Sequence, residues 1–216
     1  MDNYLRPTAF LDADHPRVRE LAETATAGVA DPTEKAVRLY YAVRDGLRYD
    51  PYAIDFSPEG FTASAVIARG KGYCVAKASV LAAAARALAI PSRLGFADVR
   101  NHLATPRLRE QMGTDVFYYH GYTELHVQGR WVKATPAFNI ELCQRFGVRP
   151  LEFDGREDSI FHPLDAEGRQ HMEYLHDRGT RDDVPLDELR DAMARLYPHM
   201  RGPLQGDFHA EAGNRT

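Results

Sequence analysis

The sequence predicts an α+β chain with helices in its first part and antiparallel strands after them, and three patterns carry that prediction. Val18, Leu21, Ala22, Ala25 and Val29 recur at the three-and-four spacing of an amphipathic helix over residues 16–29. The run CVAKASVLAAAARALA, residues 74–89, joins strong helix propensity to small residues on nearly every face, with only Lys77 and Arg86 charged, which describes a central buried helix. Residues 118–127 and 130–135 read as strands joined at Gln128-Gly129 by a tight hairpin.

The remaining elements follow in chain order. Asp31-Pro32-Thr33-Glu34 starts a second helix: Asp31 can cap it, Pro32 suits its first position and Glu34 stands where a capping-box acid belongs. That helix runs to about Asp45 and stops at Gly46, and residues 47–52 read as extended chain leading into a loop. A short helix is expected over residues 62–68. Ile90-Pro91 ends the central helix, and residues 92–99 form a strand leaving the core. Residues 137–180, rich in Asp, Gly, Arg and His, are expected to be irregular cover with one short helix near 140–146. Leu186, Leu189, Ala192, Met193, Leu196 and Tyr197 mark a last helix over residues 185–197. The expected organisation is a single domain over residues 1–200, with its core at about 30–136, and a flexible polar tail over residues 201–216.

With 216 residues, 44% hydrophobic and 27% charged, the chain can bury a sizeable core, which excludes wholesale disorder. Lys plus Arg number 27 against 31 Asp plus Glu, so a net charge of -4 gives no general attraction to nucleic acid or anionic membranes. No apolar run approaches the ~20 residues that span a bilayer, and the start, Met1-Asp2-Asn3-Tyr4-Leu5-Arg6-Pro7, has no apolar signal core. Cys74 and Cys143 are the only cysteines, too few for a disulfide scaffold or a paired zinc motif. The expected setting is a reducing cytoplasm.

Cys74 is the informative thiol. Gly70-Lys71-Gly72-Tyr73 delivers it onto the first turn of the long helix, where unpaired N–H groups and the helix dipole favour a thiolate and lower its pKa below the ~8.5 of a free cysteine. An N–H there can also stabilise an oxyanion. The alternative is a small buried residue that starts a core helix. Of the nine histidines, His120 is the best placed as a base: it precedes a strand, and Gly121 beside it leaves room for a substrate or a partner side chain. Cys143, among Ile140, Leu142 and Phe146, reads as core.

The run GKGYCVAKASVLAAAARALAIPSRLGFADV, followed by HGYTELHVQGRWVKATP, resembles the transglutaminase-like superfamily of thiol enzymes. The residues that carry the resemblance are Gly72, Cys74, Ile90-Pro91-Ser92-Arg93, His120, Tyr122, Glu124, Gly129 and Trp131-Val132, with the helix at Asp31 and Tyr49 upstream. The resemblance covers about residues 30–136. It implies a papain-like core in which the helix of the nucleophile lies on an antiparallel sheet that carries the base. It also implies Cys74 as nucleophile and backbone oxyanion donor, His120 as general base, and no cofactor or metal.

Two departures stand out. Val75 replaces the aromatic residue that usually follows the nucleophile. Thr135-Pro136 replaces the usual Asp-Pro, and a threonine hydroxyl can orient an imidazole but supplies no charge. Thr135 is therefore the first candidate orienter, Asn139 the second and Asp154, in the Phe153-Asp154-Gly155 turn, the third. Their bland alternatives are strand-end packing, a helix N-cap and a turn residue.

Period-two alternation puts His120, Tyr122, Glu124 and His126 on one strand face, with Leu125 and Val127 on the other. Tyr73, Tyr122 and Glu124 are candidate substrate contacts. A metal held by His120, Glu124 and His126 is disfavoured, because six residues of strand separate the two histidines by ~20 Å. His162, His171 and His176, with Asp165 and Asp177, read as scattered surface residues. The aromatic group Phe117, Tyr118, Tyr119 and Tyr122 reads as sheet packing, since no basic stripe accompanies it.

The function expected from these residues is thiol-dependent hydrolysis or acyl transfer on a peptide, protein or small amide substrate, through an acyl-thioester. A protease, an amidase and a transglutaminase all fit. The alternatives are a non-catalytic peptide- or ligand-binding module with a degenerate triad and, third, a metal-dependent hydrolase.

Overall fold

The computed structural model describes residues 1–102, 104–161, 168–169, 171–198, 200 and 204–213. The first helix, α1 (Pro16–Ala25), is shorter than its apolar period suggests, because the Thr26 hydroxyl turns back onto the Ala22 carbonyl at 2.7 Å and Gly28 takes a positive φ of 74°. In α2 (Pro32–Gly46) the Glu34 N–H donates to Asp31 Oδ1 at 2.8 Å, the cap that the sequence signals. Its far end is closed from inside the core: Lys77 Nζ donates to the carbonyls of Arg44 at 2.8 Å and Leu47 at 2.6 Å. Burial of that ammonium pulls its pKa down to about 7.

A two-residue strand β1 (Arg48–Tyr49) follows and pairs in parallel with β2 (Lys71–Gly72), which comes after α3 (Ala63–Arg69). That pairing sets Tyr49 beside Gly72, two residues before Cys74. Cys74 itself opens α4 (Cys74–Ala87), whose side chains are buried on every face, as its small-residue composition requires. Against α4 lies a four-stranded antiparallel sheet of β3 (Ser92–Asn101), β4 (Val116–Val127), β5 (Arg130–Ala134) and β6 (Met172–Arg181), in the order β5-β4-β3-β6. The β4–β5 turn is tight, with positive φ at Gln128 and Gly129. Thr123 Oγ1 donates to the Ala78 carbonyl at 2.9 Å and ties the sheet to α4.

Three elements depart from the sequence expectation. Residues 137–180 are more than irregular cover: besides α6 (Ile140–Phe146) they contain most of β6. An edge strand exposed along much of its length needs no apolar alternation, so MEYLHDRGTR carries none. A helix α5 (Pro106–Met112) precedes β4, capped by Thr105 through the Leu108 N–H at 3.2 Å. The tail is also not wholly loose. After α7 (Leu186–Leu196), the short helix α8 (Phe208–Gly213) is held by Phe208, buried against Tyr49, Phe146 and Tyr52, and by His209 Nε2, 3.3 Å from the Tyr49 carbonyl. Among the described residues no helix is long and apolar enough to cross a membrane.

Candidate active site

Cys74 and His120 line one cavity. Cys74 is 7% exposed and His120 3%, and the cavity holds about 40 Å³, room for a few waters. Cys74 Sγ accepts the Gly121 N–H at 3.5 Å, across from the start of α4. That donor, with the N–H groups of Cys74 and Val75, favours the thiolate, but burial is the larger effect and pushes the thiol up to about 11. The expected low pKa is thereby corrected: the helix terminus helps the anion, and the dry surroundings cost it more. Burial likewise pulls His120 down to about 4, so the pair rests as thiol and neutral imidazole.

This depressed value fixes a pH dependence. The unfolded chain protonates His120 near 6.5 while the folded one resists until about 4, so its contribution to stability is full above 6.5 and is lost as pH falls through 4. The whole loss is roughly 3 kcal/mol. Urea unfolding of wild type and His120→Gln at pH 7, 5.5 and 4 checks this, and the acid-side decline should be shallower in the variant.

The strand does not present His120 by simple alternation. Tyr119, just before it, has a positive φ of 55°, a conformation that costs a non-glycine residue about 1 kcal/mol or more. The kink is secured from β3, where Asp98 Oδ1 accepts the Tyr119 N–H at 3.1 Å. Arg178 of β6 grips both oxygens of Asp98, at 2.9 and 2.6 Å, and lies over the Tyr119 ring. Asp98 and Arg178 escaped the sequence reading; the available signal was a lone acid inside the apolar strand GFADV.

Gly121 leaves room for a partner side chain, that of Val75. A Cβ there would lie 2.8 Å from both Cα and Cγ2 of Val75, so β4 and the first turn of α4 meet at van der Waals distance. Val75 thus faces the sheet. Gly121→Ala should cost about 1–3 kcal/mol by overpacking and should pull Cys74 away from its N–H donor; thermal unfolding and thiol reactivity measure both.

None of the three candidate orienters hydrogen-bonds to the imidazole. Among the described residues His120 Nε2 has no hydrogen-bond partner, and its ring lies against Phe161 at 5.0 Å between centroids. Thr135 is buried at the end of β5, where its N–H donates to the Ser159 carbonyl at 3.0 Å and its hydroxyl faces the Tyr174 side chain. Asn139 Oδ1 accepts the Tyr49 N–H at 3.1 Å and so anchors β1 to the start of α6. Asp154 is an exposed turn residue whose Oδ1 accepts the N–H groups of Arg156 and Glu157 at 2.8 and 2.9 Å.

Of the candidate substrate contacts, Tyr73 lines the Cys74 cavity. Tyr122 lies on the other side of the sheet: its ring covers Gly95, Lys133 sits over it at 5.2 Å, and it borders an open pocket of about 340 Å³ with Tyr174 and His176. Glu124 is engaged by Arg93 at 2.6 Å, and His126 packs edge-on to Trp131. Among the described residues no group of three or more His, Cys, Asp or Glu is arranged to hold a metal.

His171 is buried beside Phe138 and Phe161, not on the surface, whereas His176 and Asp177 are exposed. His162 and Asp165 lie outside the described residues. Phe117, Tyr118 and Tyr119 do more than pack the sheet, because they form one wall of the cavity. Cys143 is core, 2% exposed, with its thiol pushed up to about 12 by burial.

A helix that opens on Cys74 thus lies on an antiparallel sheet that carries His120, an α+β fold of papain-like arrangement. The chain belongs to the transglutaminase-like superfamily, whose family profile matches residues 19–136. Among solved structures, it resembles a "Putative Cysteine Protease" from Cytophaga hutchinsonii with a TM-score of 0.52 and 16% identity, over 84% of this chain and 46% of that one. At that identity the likeness shows the fold, and this chain spans less than half the length of that protein. A "putative protease" from Parabacteroides distasonis ATCC 8503 matches at 17% identity and a TM-score of 0.39, over 59% of this chain and 26% of that one. The search of curated proteins returned no match.

Proposed function

We propose that the protein is a thiol enzyme that cleaves or transfers the acyl group of an amide or peptide, with Cys74 as nucleophile and His120 as general base. The observation that carries this is the meeting of the two side chains in one cavity, the cysteine at a helix start and the histidine on the facing sheet. With the thiol at about 11 and the imidazole at about 4, no stable thiolate–imidazolium pair stands ready. His120 takes the proton as sulfur attacks the carbonyl. The Cys74 N–H supports the developing oxyanion. Collapse breaks the C–N bond, the amine leaves with the proton from His120, and a thioester remains for water or an amine to resolve.

Leu189 and Met193 of α7, with Met200 and Leu204, line the cavity, which at about 40 Å³ must widen to take an acyl group. One observation favours a second reading, a binding module that has lost its chemistry: among the described residues His120 Nε2 is buried with no hydrogen-bond partner. Release of fluorophore from a panel of aminoacyl and peptidyl coumarin anilides separates the two. Turnover that alkylation of Cys74 stops supports the enzyme. Binding of peptides without turnover supports the module.

A further inference from the structure

We infer that the cavity beside Cys74 is an acyl pocket selective for apolar acyl groups, aliphatic or aromatic, over charged ones of the same length. This rests on Cys74 being the nucleophile, as proposed above. The walls come from separate parts of the chain: Leu108 and Met112 of α5, Phe117 of β4, Leu189 and Met193 of α7, and Leu204 beyond it. Among the described residues no Asp, Glu, Lys or Arg lines the cavity.

The polar tips of two wall tyrosines are already committed. Tyr197 donates to the Val116 carbonyl at 3.1 Å and accepts the Tyr118 N–H at 2.8 Å, and Tyr119 donates to Glu188 at 3.0 Å. Of the other three wall tyrosines, Tyr118 packs edge-on to Tyr197, and Tyr73 and Tyr49 flank the nucleophile, Tyr73 as its neighbour in sequence and Tyr49 through its pairing with Gly72. Beyond these tyrosines and Cys74 with His120, the described lining is apolar. A carboxylate placed there would be desolvated without a partner, whereas each buried methylene is favourable. Three methionines, Met112, Met193 and Met200, line the space, and their flexible side chains let a small resting cavity widen around a chain.

The test uses activated esters with the full chain: p-nitrophenyl acetate, p-nitrophenyl hexanoate and mono-p-nitrophenyl adipate. In each, the Cys74 S–C bond forms, the ester C–O bond breaks and p-nitrophenolate leaves, while the thiol proton passes to His120. Acylation is followed by p-nitrophenolate release and by intact mass, each against Cys74→Ala. The hexanoyl ester should acylate Cys74 at least ~10-fold faster than either the acetyl or the adipyl ester. Met193, only partly buried on α7, allows a gain-of-function check, in which Met193→Lys should raise the adipyl rate relative to the hexanoyl rate; Met200→Lys is the second variant should the first not fold. Equal hexanoyl and adipyl rates at Cys74 would overturn the acyl pocket and leave the nucleophile standing. Esters that leave Cys74 unmodified would overturn both.

Discussion

Cys74→Ala should reduce turnover by about 10⁴-fold or more while leaving the fold intact, because it removes the atom that bonds to the acyl group and little else. The side chain is buried at the start of α4, and its sulfur makes one weak contact, the 3.5 Å acceptance of the Gly121 N–H. Losing that contact costs little stability. His120→Gln should lower kcat by ~10²–10⁴, with residual activity that rises with pH as direct deprotonation of the thiol takes over from the base. Thermal unfolding of both variants within a few degrees of wild type, alongside these losses, is the expected pattern. Loss of activity accompanied by unfolding would point to structural roles for the two residues.

The second large effect is expected at a residue outside the cavity. Asp98→Ala strips the Tyr119 N–H of its acceptor and leaves Arg178 without the carboxylate that it grips at 2.6 and 2.9 Å. Breaking a mostly buried pair by removing one partner costs about 3 kcal/mol, equivalent to a Tm lower by roughly 6–12 °C for a chain of this size. The damage is also directional. Tyr119 holds a positive φ one residue before His120, so relaxing it rotates the base away from Cys74. Asp98→Asn keeps an oxygen for the Tyr119 N–H and should recover more activity than stability. Equal stability of wild type and Asp98→Ala in thermal melts would remove this positioning role.

What the sequence revealed and what it hid divide along physical lines. Asp31 with Glu34, the small-residue run after Cys74 and the Gln128-Gly129 turn are local signals, and each element formed where its signal stood. The edge strand β6 gave none, since exposure along its length removes the need for apolar alternation. The capped turn of α5 lies in a stretch with little period, and α8 depends on Phe208 reaching Tyr49 across the chain. The family motif pointed to Cys74 and His120, which line one cavity. Their protonation state was not legible, because it depends on how much of the tertiary structure covers them. Likewise Thr135, Asn139 and Asp154 were ranked by spacing, whereas their actual partners, the Ser159 carbonyl, the Tyr49 N–H and the turn at 154–157, are set by the three-dimensional arrangement.

The central claim is that the buried thiol of Cys74, served by His120, carries the acyl group. Its most direct test is to quench wild-type protein in acid during reaction with p-nitrophenyl hexanoate and locate the adduct by intact mass and peptide mapping. A single hexanoyl group on Cys74, absent from Cys74→Ala and strongly slowed in His120→Gln, is the predicted result. A hexanoyl group confined to Cys143, or one that forms equally fast without His120, would contradict it.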